Sequence, residues 1–527
     1  MSRKPGSPHR SPRPINLGRS PRDSRVTWES LTLGPGGYAF ASRGFLVGLS
    51  DLGVQVRSQP VWGDCPITYP GEEPAGAEGY RVRGNVSDRY MELSIRTPVD
   101  EETLEKILKL TNTPGGGVYV CAHIPTDHNG TDFFRYYRER NPGMTAYVGY
   151  TMFEAEAVPG PWVDSCNQMD EIWVPTHFNR DSFSRAGVDP AKIHVIPIGF
   201  DPERYQPYDC EPLGLIQGRG FCFLSVFEWT YRKGWDVLIR AYLEEFSPHE
   251  DVKLILRTYQ GTGVVGTDIP EISRQLEDFI LRLGYDPEKT PDIELIDQTV
   301  PSSLMPSLYK SADAFVLPTR GEGWGIPLTE AMLMEIPVIA TGWSGQTEFM
   351  NEKNAFLIDI DGLVAVAAEQ IRDNPLYAGQ RWAEPSLPHT RALMRHVFEN
   401  RKAAKEKART ARRHVLGRFT LRQGACEILR RLEVLSKPVK RCSAFSQPAS
   451  NEPDRRPRRD MPARSRRRPT RVLFQARPNI FTLPGGDTEV VVALKKSLEF
   501  AGLRIDFSSN SQADLKDYEI VHVFNFD

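Results

Sequence analysis

Short apolar runs alternate with amphipathic segments along most of this 527-residue chain, and the alternation runs through twice. The first pass has apolar runs at 26–33, 53–58, 118–121, 145–151, 171–175 and 193–197, with helical patterns between several of them. One such pattern, 100–110, sets Leu104, Ile107, Leu108 and Thr111 on one side. The second pass has strands expected at 221–227, 252–258, 293–296, 314–318 and 337–340. Helices near 236–246, 271–283 and 302–311 separate them. Strands alternating with helices imply parallel sheets covered on both faces. The expected class is therefore α/β, with two tandem doubly wound (Rossmann-like) domains. A cleft lies between them, faced by strand C-termini from both. Residues 197–207 (P-I-G-F-D-P-E-R-Y-Q-P) read as the crossover.

Residues 316–337 carry the densest chemistry: V-L-P-T-R-G-E-G-W-G-I-P-L-T-E-A-M-L-M-E-I-P. A strand breaks into a loop holding Gly321, Gly323 and Gly325, and a helix expected from Leu328 to Met334 follows. A glycine loop feeding a helix N-terminus is an anion seat, because free N–H groups and the positive end of the helix point at the ligand. Glu322 and Glu330 frame that seat. Acids beside a phosphate would repel it, so these two are expected to hold hydroxyls of a ribose or sugar. A diphosphate between hydroxyl-rich rings describes a nucleotide-sugar.

Composition narrows the alternatives. Hydrophobic residues at 40% and charged residues at 25% are those of an ordinary globular protein. No apolar run is long enough to span a bilayer, and no apolar core follows the basic start, so neither a membrane helix nor a secretory signal is expected. Seven cysteines without a Cys-x-x-Cys pair argue against a disulfide framework or zinc site. The cytoplasm is the expected compartment.

The net charge of −2 conceals a division. Residues 1–25 carry +6 and residues 437–471 carry +9, leaving −17 for the rest. The basic segments are Pro/Ser/Arg-rich and are expected to be disordered. Their arginine runs, Arg455 to Arg459 and Arg464 to Arg468, suit peripheral contact with an anionic membrane at its inner face. The plainer reading of both is a solvated linker. No aromatic side chain is interleaved among them, so specific nucleic-acid binding is not expected.

The stretch P-T-x-G-E-G-W-G-I-P-L-T-E-A-M resembles the signature of retaining glycosyltransferases of family four, which have the GT-B fold. Y-T-M-F-E-A-E (from Tyr150), W-V-P-T-H-F-N (from Trp173), S-V-F-E-W-T-Y-R-K-G-W-D (from Ser225) and Y-A-G-Q-R-W-A-E-P-S (from Tyr377) extend the resemblance over roughly residues 26 to 435. It implies metal-independent transfer of a sugar from a nucleotide-diphospho-sugar to a glycan or lipid-linked acceptor, as in cell-surface polysaccharide synthesis. No cofactor and no metal are implied.

The same resemblance assigns roles. Lys233 is expected against the donor phosphates and Glu322 on the donor sugar. Glu330 is expected on the ribose, while also favouring its helix dipole. The donor-binding backbone spans Gly323, Trp324, Gly325, Ile326, Leu328 and Thr329, and Pro327 offers no N–H. The family's second phosphate cation, an arginine six residues before the lysine, is here Phe227, and Arg232 is the expected substitute. In the first domain Gly36 and Gly37 let backbone approach the donor closely. His123, directly after the strand 118–121, is expected to face the donor sugar, with His128 the competing histidine. Glu154 is the acceptor-side candidate, as a base or hydrogen-bond acceptor.

The implied organisation is a basic tail (1–25), an N-terminal acceptor-side domain (26–205) and a C-terminal nucleotide-sugar-binding domain (206–387). A helical segment (388–436), a basic linker (437–470) and a partial second glycosyltransferase N-terminal domain (471–527) follow. Two further patterns stand apart from this scheme. Asp359-Ile360-Asp361 imitates a metal-binding Asp-x-Asp motif but reads as a strand ending in a turn. Gly34-x-Gly36-x-x-Ala39 imitates a dinucleotide fingerprint and supports, as alternatives, an NAD(P)-dependent oxidoreductase. A non-catalytic sugar-nucleotide-binding scaffold is the third reading, since the arginine is missing.

Overall fold

Apolar runs buried on both faces form parallel strands, and among the described residues they build two six-stranded sheets. The computed structural model describes residues 21–30, 32, 36–60, 101–213, 220–259, 269–296, 300 and 302–436, and the short stretches 471–475, 504–508 and 520–523. The first sheet comprises β1 (Arg25–Ser30), β2 (Gln55–Pro60), β3 (Val118–Ala122), β4 (Ala146–Tyr150), β5 (Glu171–Val174) and β6 (Ile193–Val195). Their order is β2-β1-β3-β4-β5-β6 and every pair is parallel. The order reverses at β1, so the helix Gly37–Asp51 leaves from the switch point, where ligands of such sheets sit.

The second sheet comprises β7 (Phe221–Glu228), β8 (Val252–Tyr259), β9 (Asp292–Leu295), β10 (Ala314–Leu317), β11 (Val338–Thr341) and β12 (Phe356–Ile358). Its order, β12-β11-β10-β7-β8-β9, is again wholly parallel. Here the switch point falls between β7 and β10. The segments after those two strands, 229–233 and 318–330, hold the residues the sequence marked for chemistry.

Two features depart from expectation. Asp361 lies in β13 (Ile360–Ala365), which pairs antiparallel with β14 (Arg381–Pro385), so the expected turn is instead the start of a hairpin. The charged pattern 388–435 resolves into three helices, Leu387–Glu399, Arg401–Arg418 and Leu421–Leu435. The last begins with a capping box in which Thr420 and Gln423 satisfy each other's backbone N–H groups. This helix lies on Gly37–Asp51 of the first lobe. A Cβ at Gly48 would come within 2.8 Å of the Leu421 carbonyl oxygen, so glycine permits the close approach.

The segment 197–207 links the lobes: Phe200 bridges Thr420, and Arg204 donates to the Ser302 carbonyl at 2.6 Å. A separate small unit contains β15 (Arg471–Gln475), β16 (Arg504–Ser508) and β17 (Ile520–Val523), in the parallel order β16-β15-β17. Residues 62–85, 488–501 and the basic segments 1–20 and 437–470 lie outside the described residues. No helix among the described residues is long and apolar enough to cross a membrane.

Candidate active site

Between the two sheets lies a cavity of about 410 Å³. Gly36, Gly37, Met152 and Glu154 line it from the first lobe, and Lys233, Arg232, Glu322 and Glu330 from the second. Gly323, Trp324, Gly325 and Ile326 complete the wall, so the loop after β10 lines the cavity. Gly325 caps the helix Ile326–Leu333 in the left-handed region, φ 98°, which favours glycine. Among the described residues, the N–H groups of Gly323, Trp324, Gly325 and Ile326 have no hydrogen-bond acceptor. They remain available to an anion.

Leu328 and Thr329 behave differently from expectation. Both N–H groups already donate to the Gly325 carbonyl, at 3.0 and 3.3 Å, and neither residue lines the cavity. Leu328 is core, and the Thr329 hydroxyl accepts from Trp324 Nε1 at 3.0 Å. The helix starts early enough to consume those two donors, so they support the seat from behind.

Lys233 sits in the short turn after β7. Its Nζ lies 2.6 Å from Oε1 and 2.8 Å from Oε2 of Glu322. Burial pushes the Glu322 carboxyl up, but Lys233 and then Arg232 pull it below its ordinary value. The Arg232 guanidinium donates to the Gly321 carbonyl at 2.6 Å and stands 3.8 Å from the carboxylates of both Glu154 and Glu322. Burial opposes its charge, yet Glu154, Tyr377 and Glu322 together raise its pKa. Phe227, where the resemblance calls for an arginine, is buried and stacks on Trp229 at 5.9 Å.

Glu330 is buried, with one oxygen accepting from Tyr309 at 2.7 Å and the other from Tyr205. Burial raises its pKa against those two hydrogen bonds. Glu154 accepts from the Tyr377 hydroxyl at 3.1 Å, which places it on the cavity wall as a hydrogen-bond acceptor. His123 does not line the cavity. Its ring packs on Phe133, 4.3 Å between centroids, and burial lowers its pKa. The strand-end position was legible, but the helix Phe133–Arg140 that covers the ring was not. Asp359 pairs with His389 at 3.0 Å, and neither it nor Asp361 lines the cavity.

Several working residues were invisible to sequence reasoning. Arg320 is almost wholly buried and forks onto Asp236 (2.8 and 2.9 Å) and Glu384 (2.9 and 2.8 Å). Its guanidinium also lies 3.7 Å over the Tyr231 ring, so it clamps the turn that carries Lys233. Ser344, at φ 78°, accepts from the Glu322 N–H at 2.9 Å. Arg257 on β8 lines the cavity as well.

This switch-point seat, with buried cations and carboxylates, coincides with a recognised segment. Residues 218–373 match the family Glycosyl transferases group 1. The group 1 segment thus covers the second sheet together with Lys233, Glu322 and Glu330. Among relatives, the mannosylfructose-phosphate synthase of Agrobacterium fabrum is 28% identical over 163 residues, 29% of this chain and 34% of its own length. The D-inositol 3-phosphate glycosyltransferase of Geodermatophilus obscurus is 26% identical over 247 residues, 45% of this chain and 53% of its own. The chain therefore spans between a third and about half the length of these curated relatives. Anabaena HepE, solved with UDP and glucose, superposes with a TM-score of 0.50 at 15% identity, over 78% of this chain and 100% of that one. Sucrose-phosphate synthase of Thermosynechococcus elongatus superposes with a TM-score of 0.52 at 14% identity, over 78% and 99%. At such identities the superpositions establish the two-lobed GT-B fold.

Proposed function

We propose that the chain is a retaining, metal-independent glycosyltransferase that uses a nucleotide-diphospho-sugar. The observation that carries this reading is convergence. Lys233, Arg232, Glu322 and a glycine loop with unengaged N–H groups meet in one cavity between two sheets. UDP bound to Anabaena HepE and the transferase names of the relatives agree with it.

In this reading the anomeric C–O bond to the diphosphate breaks as negative charge grows on the departing oxygen. Lys233, Arg232 and the loop N–H groups receive that charge. Lys233 exchanges part of its pairing from Glu322 to phosphate, leaving Glu322 free to accept from sugar hydroxyls. Glu330 receives the ribose. The acceptor oxygen attacks from the face the diphosphate leaves, and its proton passes to the leaving phosphate oxygen. Gly36 and Gly37 line this same cavity, where we place the donor.

The acceptor we assign is a glycan or lipid-linked glycan in cell-surface polysaccharide synthesis, with the basic segments resting on the inner face of an anionic membrane. The test is turnover of UDP-, GDP- and ADP-sugars against such acceptors with EDTA present, following nucleoside diphosphate release and product anomer by NMR. Release with retained anomeric configuration supports the reading. Metal-dependent or inverting transfer would overturn those parts of it.

A further inference from the structure

We propose that Arg257 is the cation that receives a phosphate of the donor nucleotide, in place of an arginine at position 227. The inference rests on the donor reading above. Arg257 stands on β8 in register with Val226 of β7, beside the strand end that leads to Lys233. It lines the cavity, its Nε is buried, and among the described residues it makes no hydrogen bond or ion pair. Its guanidinium lies over the Tyr259 ring, 5.5 Å from the centroid.

The other cavity cations have partners. Lys233 is held by Glu322, Arg232 by the Gly321 carbonyl, and Arg204 by the Ser302 carbonyl. Arg43 donates to the Thr32 carbonyl at 2.9 Å. Glu330 lies within electrostatic reach of Arg257, but Tyr205 and Tyr309 each bond one of its oxygens. A partly buried guanidinium whose Nε is shut off from solvent without an acceptor is costly to the free protein. A phosphate entering the cavity supplies the missing acceptors, and the planar fork matches phosphate geometry bidentately. Phe227 fills its own position with an apolar ring, so the adjacent strand presents the charge instead.

The experiment is titration calorimetry of the full chain with UDP, GDP and ADP, and with uridine, guanosine and adenosine. Wild type is compared with Arg257→Ala, Arg257→Lys and Arg257→Met. We expect Arg257→Ala to weaken the preferred diphosphate by about tenfold or more. Binding of the matching nucleoside should stay unchanged, and Arg257→Lys should recover part of the loss. Ligand-free Arg257→Met should melt no lower than wild type, because a buried Nε without an acceptor has been removed. Equal losses for nucleoside and diphosphate, no loss at all, or a lower ligand-free melting point would each overturn the assignment. A wild type that binds no nucleoside diphosphate refutes the donor reading itself, which is a different failure.

Discussion

Lys233 and Glu322, eighty-nine residues apart in sequence, form a two-point ion pair at 2.6 and 2.8 Å on the wall of the interlobe cavity. The pair spans the switch point of the second sheet, joining the turn after β7 to the loop after β10. Lys233 thereby favours the charged form of Glu322, and each side chain positions the other until a ligand competes.

Breaking that pair should separate folding from chemistry. Lys233→Met leaves Glu322 with Arg232 and the Thr319 hydroxyl, so its stability loss should fall at or below the about 3–5 kcal/mol typical of a broken buried pair. Transfer should fall about 10²–10³-fold through lost charge stabilisation on the leaving phosphate. Glu322→Gln retains shape and should fold, with transfer collapsing. Melting curves beside kinetics check both.

Glu322 and Glu330 should give stability–pH slopes of opposite sign. Lys233 and Arg232 hold the Glu322 pKa below its ordinary 4.5, so its contribution is present above 4.5 and lost as pH falls through the folded value. Burial holds Glu330 above 4.5, so its contribution is present below 4.5 and lost as pH rises through the folded value. Relative to wild type, Glu322→Gln should therefore look worse, and Glu330→Gln better, as pH rises from the acid side. Urea melts across pH 3 to 7 would show about the same slope for both if this account were mistaken.

Ser344 combines strain with support. At φ 78° it occupies backbone space that favours glycine, while its Oγ accepts from the Glu322 N–H. Ser344→Ala keeps the strain and loses the bond, so about 1–3 kcal/mol should go. Ser344→Gly loses the same bond but relieves the strain, so its loss should be smaller. The reverse order in denaturant melts would contradict this description.

Gly321 permits the lobes to meet. A Cβ there would lie 2.0 Å from the Glu154 carbonyl oxygen, a backbone atom that cannot swing away. Gly321→Ala should force the loops apart, with a destabilisation of about 1–3 kcal/mol or more. Weaker nucleotide-sugar binding should accompany it. Unchanged melting and affinity would show that the approach is loose.

Legibility in the sequence followed locality. The strands could be read because each is a short apolar run, and Lys233 because the resemblance places a cation in the T-Y-R-K-G segment after the strand. Glu322 and Glu330 could be read because loop and helix lie in one contiguous stretch. Arg257 could not, since a charged residue inside V-K-L-I-L-R-T-Y reads as the wet face of a strand. Arg320 was equally hidden, because its partners Asp236 and Glu384 lie far away along the chain. His123 was placed correctly at a strand end, yet what its ring touches depends on Phe133 from the next helix. The early start of the helix Ile326–Leu333, which withdrew Leu328 and Thr329, is likewise set by how Gly325 caps it.

The central claim is that this cavity holds a nucleotide-diphospho-sugar. Its most direct test is thermal unfolding of the full chain with UDP-, GDP- and ADP-sugars, beside NADH and NADPH, all with EDTA. Ligand at about 100 times its Kd should add about 2.7 kcal/mol of stability. We predict stabilisation by one nucleotide-sugar that is lost in Lys233→Met. Stabilisation by NADPH alone, or by none of the sugars, would contradict the account.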